Sequence, residues 1–257
     1  MKTSVNHWRR YWNARGSANF SDDKADRGTT CLCPEIVQRT ERQFLNSIDP
    51  KPNELLFDAG CGTGANLGKF SPLVRAIVGF DISDQMINRA KKRIMREELS
   101  NVRLMIGTIS NVGVKNDTFH KIICTSVLQY LDDEECEAAL KELFRISRHN
   151  GIVVLHVKNL SSLYGCTLYF AKKIARLIKK PVTPDYYRTN IWYERTISKL
   201  GARIVDYDSF GVFHISHLPK FALYSLLKLE TKIPKGKFLR RRGVNYQITV
   251  KTDKTTK

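Results

Sequence analysis

The chain has 257 residues, of which 42% are hydrophobic and 26% charged, and this composition excludes a fibrous or largely disordered protein. No apolar run suits a signal peptide or a membrane span of about 18 residues, so we expect a cytoplasmic protein. The net charge of +18 is concentrated after residue 157, where 21 Lys and Arg residues face 6 Asp and Glu residues. That asymmetry predicts an acidic partner or surface for the C-terminal part.

The first 48 residues show no strand pattern and are predicted to form a helical lid. Trp8, Tyr11 and Trp12 recur at i, i+3 and i+4, so they share one helix face that could close over a ligand or pack as a core stripe. Cys31 and Cys33 are closely spaced, but two thiols without further ligands make a poor metal site. We therefore predict no metal.

Between residues 49 and 160, short apolar segments alternate with segments of helical period, which predicts βαβ units and a parallel sheet. The predicted strands are 54–58, 76–80, 102–106, 121–125 and 151–157. Ser83 is predicted to cap a helix that follows the second strand. Another helix, through Leu140 and Leu143, is predicted to end at Asn150 and Gly151.

The remaining chain is predicted to add two basic insertions and two strands to the same sheet. The insertions cover 161–190 and 211–243. A helix over 192–200 is stopped by Gly201 and followed by a strand over 202–207. Residues 244–257 supply the last strand, 246–250, and a tail, so we predict a single α/β domain over 1–257.

A glycine-rich turn, FDAGCGTG at 57–64, follows the first predicted strand and precedes a helix. Leu67 stands where a dinucleotide-binding fingerprint has its third glycine, and the Lys-Ser/Thr pair of a P-loop is missing. Asp58 would repel phosphate groups but attract a cation. The turn therefore predicts a binding site for a cationic ligand.

A second carboxylate, Asp81, ends the second predicted strand. A carboxylate at this place can accept hydrogen bonds from both hydroxyls of a ribose. The predicted ligand thus has a ribose and a cationic end.

These features resemble the class I S-adenosylmethionine-dependent methyltransferase family, in particular its small-molecule branch of ubiquinone-type and polysaccharide-cluster enzymes. The resemblance covers roughly residues 45–207. It is carried by the glycine turn, Asp81, GTI at 107–109, FHKIICTSVLQYL at 119–131 and LFRISRHNGIVVLHVKN at 143–159. It implies a Rossmann-like, doubly wound α/β fold: a mostly parallel seven-stranded sheet with helices on both faces and an antiparallel edge strand.

The resemblance also implies S-adenosyl-L-methionine as the cofactor and assigns residues to it. The glycine turn would hold the methionine part, Asp81 the ribose, and the segment after the third strand the adenine. The implied cofactor-binding residues are Asp58, Gly60, Cys61, Gly62, Asp81, Ile82, Thr108, Ile109 and Thr125, with Thr125 and Ser126 beneath the sulfonium.

Two positions depart from the family pattern, which commonly has Asp at both. Thr108 can still accept a hydrogen bond from the adenine amino group. His120 is expected to cap a strand or face solvent.

His156 is the candidate general base, because it lies near the carboxyl end of the fifth strand, where open α/β sheets bind ligands. A neutral histidine is the natural proton acceptor if the methylated atom is a hydroxyl oxygen. The alternative is a hydrogen-bonded histidine that lines the sheet edge. Aromatic residues that could line an acceptor pocket are Tyr130, Tyr164, Tyr186, Tyr187 and Trp192.

Residues 166–180, CTLYFAKKIARLIKK, place apolar side chains on one helix face and basic ones around the other. This pattern is typical of helices on anionic membranes and also of the solvated face of a packed helix. A second apolar and then basic stretch covers 221–229 and 235–242. Both favour an amphiphilic or anionic acceptor and a location peripheral to the membrane.

The sequence thus predicts a methyltransferase that acts, most often at oxygen, on a small or lipid-linked metabolite. One alternative is an RNA methyltransferase, since clustered positive charge is the footprint of phosphate binding. The tetrapeptide TSVL at 125–128 stands where an Asn-Pro-Pro-Tyr-like motif would be expected, which weighs against amino groups of bases as the methylated groups. The other alternative is a non-catalytic nucleic-acid or membrane-binding protein, against which Asp58 and Asp81 argue.

Overall fold

A computed structural model of the chain describes residues 5–27, 34–177, 186–210, 220–232, 236, 239–243 and 245–253. These residues contain one seven-stranded sheet. The strands are β1 Leu55–Ala59, β2 Ala76–Asp81, β3 Val102–Ile106, β4 Phe119–Thr125, β5 Ser147–Lys158, β6 Arg203–Phe210 and β7 Asn245–Lys251. Their order is β3-β2-β1-β4-β5-β7-β6.

Strands β1 to β5 pair in parallel, whereas β7 pairs antiparallel with both β5 and β6. The chain runs from β1 outward through β2 to β3 and then returns to the other side of β1 as β4. The strand order reverses there, and the carboxyl ends of the strands at such a point are the usual ligand site of open α/β sheets. The carboxyl ends of β1 and β4 are called the crevice below.

Helices lie on both faces of the sheet, as predicted. They are α1 Val5–Ser17, α2 Asp22–Arg27, α3 Pro34–Ile48, α4 Ala65–Phe70, α5 Asp84–Arg96, α6 Asp133–Ile146, α7 Leu163–Leu177, α8 Asn190–Lys199 and α9 Lys220–Lys232. Helices α3, α4 and α5 cover one face through a core that includes Phe44, Leu67 and Ile87. Helices α6 and α8 cover the other through residues such as Leu143 and Ile197.

The Rossmann-like α/β fold, its seven strands and the antiparallel pairing at the sheet edge are confirmed. Ser83 caps α5 by accepting a hydrogen bond from the Met86 amide, also as predicted. Helix α8 ends before Gly201, whose φ of 75° suits a residue without a side chain.

The predicted end of α6 is wrong. The helix stops at Ile146, and Ser147 begins β5 with an extended ψ of 140°. The Ser147 and Thr252 hydroxyls hydrogen-bond at 3.0 Å, and the Asn150 amide donates to the Thr252 carbonyl at 2.8 Å. These bonds to Thr252, which follows β7, hold residues 147–150 in the sheet. The Asn-Gly pair at 150–151 had suggested a helix end there instead.

Some predictions fall outside the described residues. These include Cys31 and Cys33, the stretches 178–185 and 211–219 of the two basic insertions, and the last four residues of the tail.

Candidate functional site

The glycine turn lies at the carboxyl end of β1, beside the crevice. Gly60, Gly62 and Gly64 have φ values of 79°, 53° and 85°, which side-chain-bearing residues rarely adopt. The amides of Gly60 and Cys61 donate to the Phe80 carbonyl at 2.7 and 3.0 Å, which fixes the turn against the end of β2. A Cβ atom at Gly60 would collide with the Val127 side chain, so the turn passes close under the loop after β4.

Asp58 projects from β1 beneath this turn and is completely buried. Neither carboxylate oxygen has a hydrogen-bond partner within the described part of the chain. Burial raises the pKa of Asp58 to about 8; the nearby Asn66 amide lowers it, and the charges of Asp81 and Asp26 raise it further. Since a buried carboxylate without partners is costly, the side chain suits a site that receives a donor or a cation from a ligand.

Asp81 ends β2 and holds the second strand-to-helix turn together. Its Oδ2 accepts from the Gly62 amide and its Oδ1 from the Ser83 amide, both at 2.9 Å. Burial raises the pKa of Asp81 to about 6, against the lowering effect of the hydrogen bonds from Ser83 and Gly62, and Asp26 raises it further. The two turns thus share one carboxylate at the mouth of the crevice.

A third carboxylate, Asp26 of α2, was missed by the sequence reasoning. Its Oδ1 accepts from the Thr63 amide at 2.9 Å and its Oδ2 from the Thr63 hydroxyl at 2.5 Å. No motif marks Asp26, because its partner lies 37 residues away in the chain.

The segment from α1 to α2 is anchored on α5. Arg89 donates to the Gly16 and Phe20 carbonyls at 2.7 and 2.9 Å and to the Asp22 carboxylate at 3.1 Å. Arg93 donates to Asp22 at 3.3 Å. The predicted lid region therefore packs beside the glycine turn.

The aromatic face of α1 contacts the loop after β4. The rings of Trp8 and Trp12 lie 4.6 and 5.4 Å from the ring of Tyr130. Trp8 is buried, whereas Tyr11 is exposed to solvent. Tyr130, predicted for an acceptor pocket, thus forms part of the contact between α1 and the sheet edge.

The other predicted cofactor residues lie along the same edge. The Gly107 amide donates to the Asp81 carbonyl at 3.0 Å, which places Thr108 and Ile109 next to the end of β2. Thr125 ends β4, and the exposed Ser126 follows it with a φ of 59°. Ile82 is half-buried directly after Asp81, and Cys61 is buried within the glycine turn.

His156 projects from β5 opposite Thr125 of β4. Its Nε2 lies 2.7 Å from Gln247 Oε1, and Gln247 Nε2 donates to Ser47 Oγ at 2.6 Å. The Phe44 ring lies 4.6 Å from the imidazole. The structure thus brings His156 to the crevice edge but also gives it the hydrogen bond that the alternative interpretation expects.

His120 lies at the opposite end of the sheet, at the start of β4. The Leu55 amide donates to its Nδ1 at 3.0 Å. Burial, and then the charge of Arg148, lower its pKa. The prediction that His120 caps a strand is confirmed.

Two of the other residues predicted to line an acceptor pocket, Tyr186 and Trp192, make contacts with other parts of the protein. The Tyr186 amide donates to the Gln129 carbonyl at 2.6 Å. Trp192 stacks on the guanidinium of Arg188, 4.7 Å from its ring centre. The buried Arg188 donates to the Leu128 carbonyl at 2.9 Å, so it ties the chain before α8 to the loop after β4.

The described residues include no group of three or more His, Cys, Asp or Glu side chains able to hold a metal ion. None of their helices is long and apolar enough to cross a membrane.

A family model described as a methyltransferase domain matches residues 56–151. An uncharacterized 37.1 kDa protein in transposon TN4556 of Streptomyces fradiae is 30% identical over 152 residues, which cover 58% of this chain and 42% of that protein. The chain spans about half the length of the first curated relatives it matches.

Solved structures share the fold over almost the whole chain. The magnesium protoporphyrin IX methyltransferase of Synechocystis PCC 6803 with bound SAH has a TM-score of 0.64 and 17% identity, covering 96% of this chain and 99% of its own. The geranyl diphosphate C-methyltransferase of Streptomyces coelicolor A3(2) has a TM-score of 0.60 and 14% identity, covering 98% and 100%. The cofactor-binding core therefore matches a methyltransferase domain in sequence, and the chain shares the fold of class I S-adenosylmethionine-dependent methyltransferases.

Proposed function

We propose that this protein transfers a methyl group from S-adenosylmethionine to an oxygen atom of a small or lipid-linked acceptor. The observation that carries the proposal is Asp58: a fully buried carboxylate, without a partner among the described residues, under a glycine turn at the crevice. Burial holds the pKa of Asp58 at about 8, and a ligand with an ammonium and a sulfonium group would stabilise the ionised form.

The residues along the crevice fit this cofactor in kind and in order. Asp58 with the glycine turn offers a carboxylate and close backbone to the methionine part. Asp81 keeps lone pairs for the ribose hydroxyls beyond those used by Gly62 and Ser83. The proposed cofactor-binding residues are Asp58, Gly60, Cys61, Gly62, Asp81, Ile82, Thr108, Ile109 and Thr125.

When bound, S-adenosylmethionine supplies a methyl group on a sulfonium that is already an activated leaving group. The protein must therefore chiefly position the acceptor and exclude water. The lid segment from α1 to α2, held beside the glycine turn by Arg89, is suited to exclude water from the crevice.

His156 is the proposed general base for a hydroxyl acceptor, and Gln247 and Ser47 are its positioning residues. Because the Gln247 amide nitrogen donates to Ser47, its oxygen faces His156 Nε2. Nε2 then carries the imidazole proton as a donor to that oxygen, and Nδ1 is the nitrogen with a basic lone pair. This arrangement gives a neutral imidazole one defined proton-accepting atom.

The acceptor class is inferred from the surroundings of the crevice. The geranyl diphosphate enzyme, a structural neighbour, methylates carbon, so the fold does not decide the methylated atom. His156 favours oxygen, because a hydroxyl must lose a proton when it is methylated. The exposed apolar and basic surface after β5 favours a small or lipid-linked molecule.

The activity is tested with S-adenosylmethionine that carries a labelled methyl group. The protein is incubated separately with total lipids, water-soluble metabolites and total RNA. We expect label in the lipid or metabolite fraction, and His156→Ala should slow that transfer by about 10²-fold or more while cofactor affinity is kept. The exposed His149 supplies the matched control, His149→Ala, which should leave the rate unchanged.

Label found in RNA alone would replace this acceptor class with the RNA alternative. Equal rates for His156→Ala and His149→Ala would remove His156 as the base and leave positioning as the source of rate.

A further inference from the structure

Helix α7 presents an apolar face to solvent. Phe170, Ile174 and Leu177, at i, i+4 and i+7, are 60%, 59% and 78% exposed. This spacing places all three side chains on one side of the helix. Tyr169 on the flank is also exposed. Single exposed apolar side chains are common on protein surfaces, whereas a contiguous group of large ones indicates an interaction surface.

The charge of this part of the chain indicates what covers that face. Between residues 158 and 184 the sequence contains basic residues but no Asp or Glu. Lys173, adjacent to the apolar stripe, is exposed. An apolar face bordered by positive charge complements a lipid surface with anionic headgroups, because the apolar side chains enter the acyl boundary while the ammonium groups meet phosphates.

The N-terminus of α7 is held at the carboxyl edge of the sheet, the edge on which the crevice lies. The Ser162 hydroxyl donates to the Asn159 carbonyl at 2.7 Å and accepts from the Gly165 amide at 2.9 Å. The Asn159 amide group donates to the carbonyls of Arg241 and Gly243 at 2.9 and 3.1 Å. These bonds anchor the start of the helix just after β5, whose carboxyl end carries His156.

We propose that α7 docks this protein on an anionic lipid bilayer through Phe170, Ile174 and Leu177. Docking there would hold the carboxyl edge of the sheet close to the headgroup layer, so an amphiphilic acceptor could reach the crevice without leaving the membrane. That consequence rests on the proposed methyl transfer, whereas lipid binding itself is measured without any cofactor or acceptor.

The test is vesicle flotation of the full chain with Leu177→Glu and a matched control, Met95→Glu. Met95 on α5 is 79% exposed, so both changes put a charge in place of a solvent-facing apolar side chain. Wild type and Met95→Glu should float with vesicles of phosphatidylcholine and phosphatidylglycerol but not with phosphatidylcholine alone. Leu177→Glu should lower the partition coefficient by about tenfold or more. It removes an apolar side chain that would enter the bilayer, and it adds a negative charge that the anionic headgroups repel.

Ile174→Gln, a milder change on the same face, guards against a folding defect in Leu177→Glu and should also weaken flotation. Raised salt should weaken wild-type binding. Equal flotation of Leu177→Glu and Met95→Glu would overturn the proposal, and so would no binding of wild type to anionic vesicles. A dimer that Leu177→Glu dissociates, without vesicle binding, would assign the face to a second copy instead. Failure of methyl transfer with vesicle binding intact would reject the proposed function and not the docking surface.

Discussion

Asp58 is a fully buried carboxyl group whose environment lowers the stability of the folded protein at neutral and alkaline pH. Burial raises its pKa from 3.8 to about 8. A carboxyl group with a raised folded-state pKa binds more protons in the folded than in the unfolded state between those values. Below about pH 4 the group is protonated in both states, and the folded protein keeps its full stability. The free energy of unfolding then falls progressively as the pH rises to about 8.

This gives a stability prediction for Asp58→Asn. The amide keeps the shape of the side chain and cannot ionise, so the variant should be more stable than wild type at pH 8 by on the order of 1 kcal/mol or more, with the difference shrinking toward pH 4. Urea unfolding at several pH values measures it. Asp81→Asn is the comparison, and it should gain less, because Asp81 has a pKa of about 6 and amide donors from Gly62 and Ser83. A wild-type stability that is flat from pH 4 to pH 8 would refute the account of Asp58.

A second residue-level prediction concerns the His156 tautomer. In the wild type, nitrogen chemical shifts of the imidazole should show the proton on Nε2, because Gln247 Oε1 accepts there. Gln247→Leu removes that acceptor and should give a mixture of tautomers. Gln38 is exposed on α3, so Gln38→Leu should change nothing. Observation of the proton on Nδ1 in the wild type would exclude Nδ1 as the proton acceptor.

The sequence reveals Asp58 and Asp81 because both lie at the carboxyl ends of apolar strands, next to turns that can bind a ligand. It does not reveal Asp26, Ser47 or Gln247. The bond from Gln247 to Ser47 joins residues 200 positions apart, and no local pattern records such a contact.

At the scale of whole elements, the segment from α1 to α2, the proposed lid, is held in place by α5. Arg89→Ala removes hydrogen bonds to the segment between α1 and α2 and should cost about 1 to 3 kcal/mol of stability, since hydrogen bonds to charged groups contribute more than neutral ones. It should also speed amide exchange in residues 5–27. Arg96 on the same helix is exposed, so Arg96→Ala should cost less than about 0.5 kcal/mol. Unchanged exchange in the lid of Arg89→Ala would show that other contacts hold it.

Element positions were largely predictable, because strands buried on both faces read as continuous apolar runs. The prediction for α6 failed because Asn150 and Gly151 look like a helix end, and bonds to Thr252 at the far end of the chain decide otherwise. Helices α1 and α2 lack a strong pattern of their own, and α5 gives them their place.

Over the whole molecule, the strand order and the distribution of charge concern different parts of the chain. The strand order reverses between β1 and β4, and short-range pattern does not reveal that order. The family resemblance implied a doubly wound sheet but gave no strand order. The excess of positive charge lies after the cofactor-binding core, toward the proposed acceptor side. The proposed function therefore rests on a core that the sequence identifies by motif and on a proposed acceptor region that the sequence describes mainly through charge.

The central claim, a cofactor site built on Asp58 and Asp81, is tested most directly by calorimetric titration of S-adenosylmethionine into wild type, Asp81→Ala and Asp253→Ala. Asp253 is half-buried beyond β7, where it pairs with the exposed Arg203, so its loss controls for removal of a negative charge. We expect wild type and Asp253→Ala to bind with dissociation constants on the order of 1 μM to 1 mM, the range typical of enzyme substrates. Asp81→Ala should raise the dissociation constant about tenfold or more. No heat of binding to the folded wild type, or equal affinity in Asp81→Ala, would contradict the account.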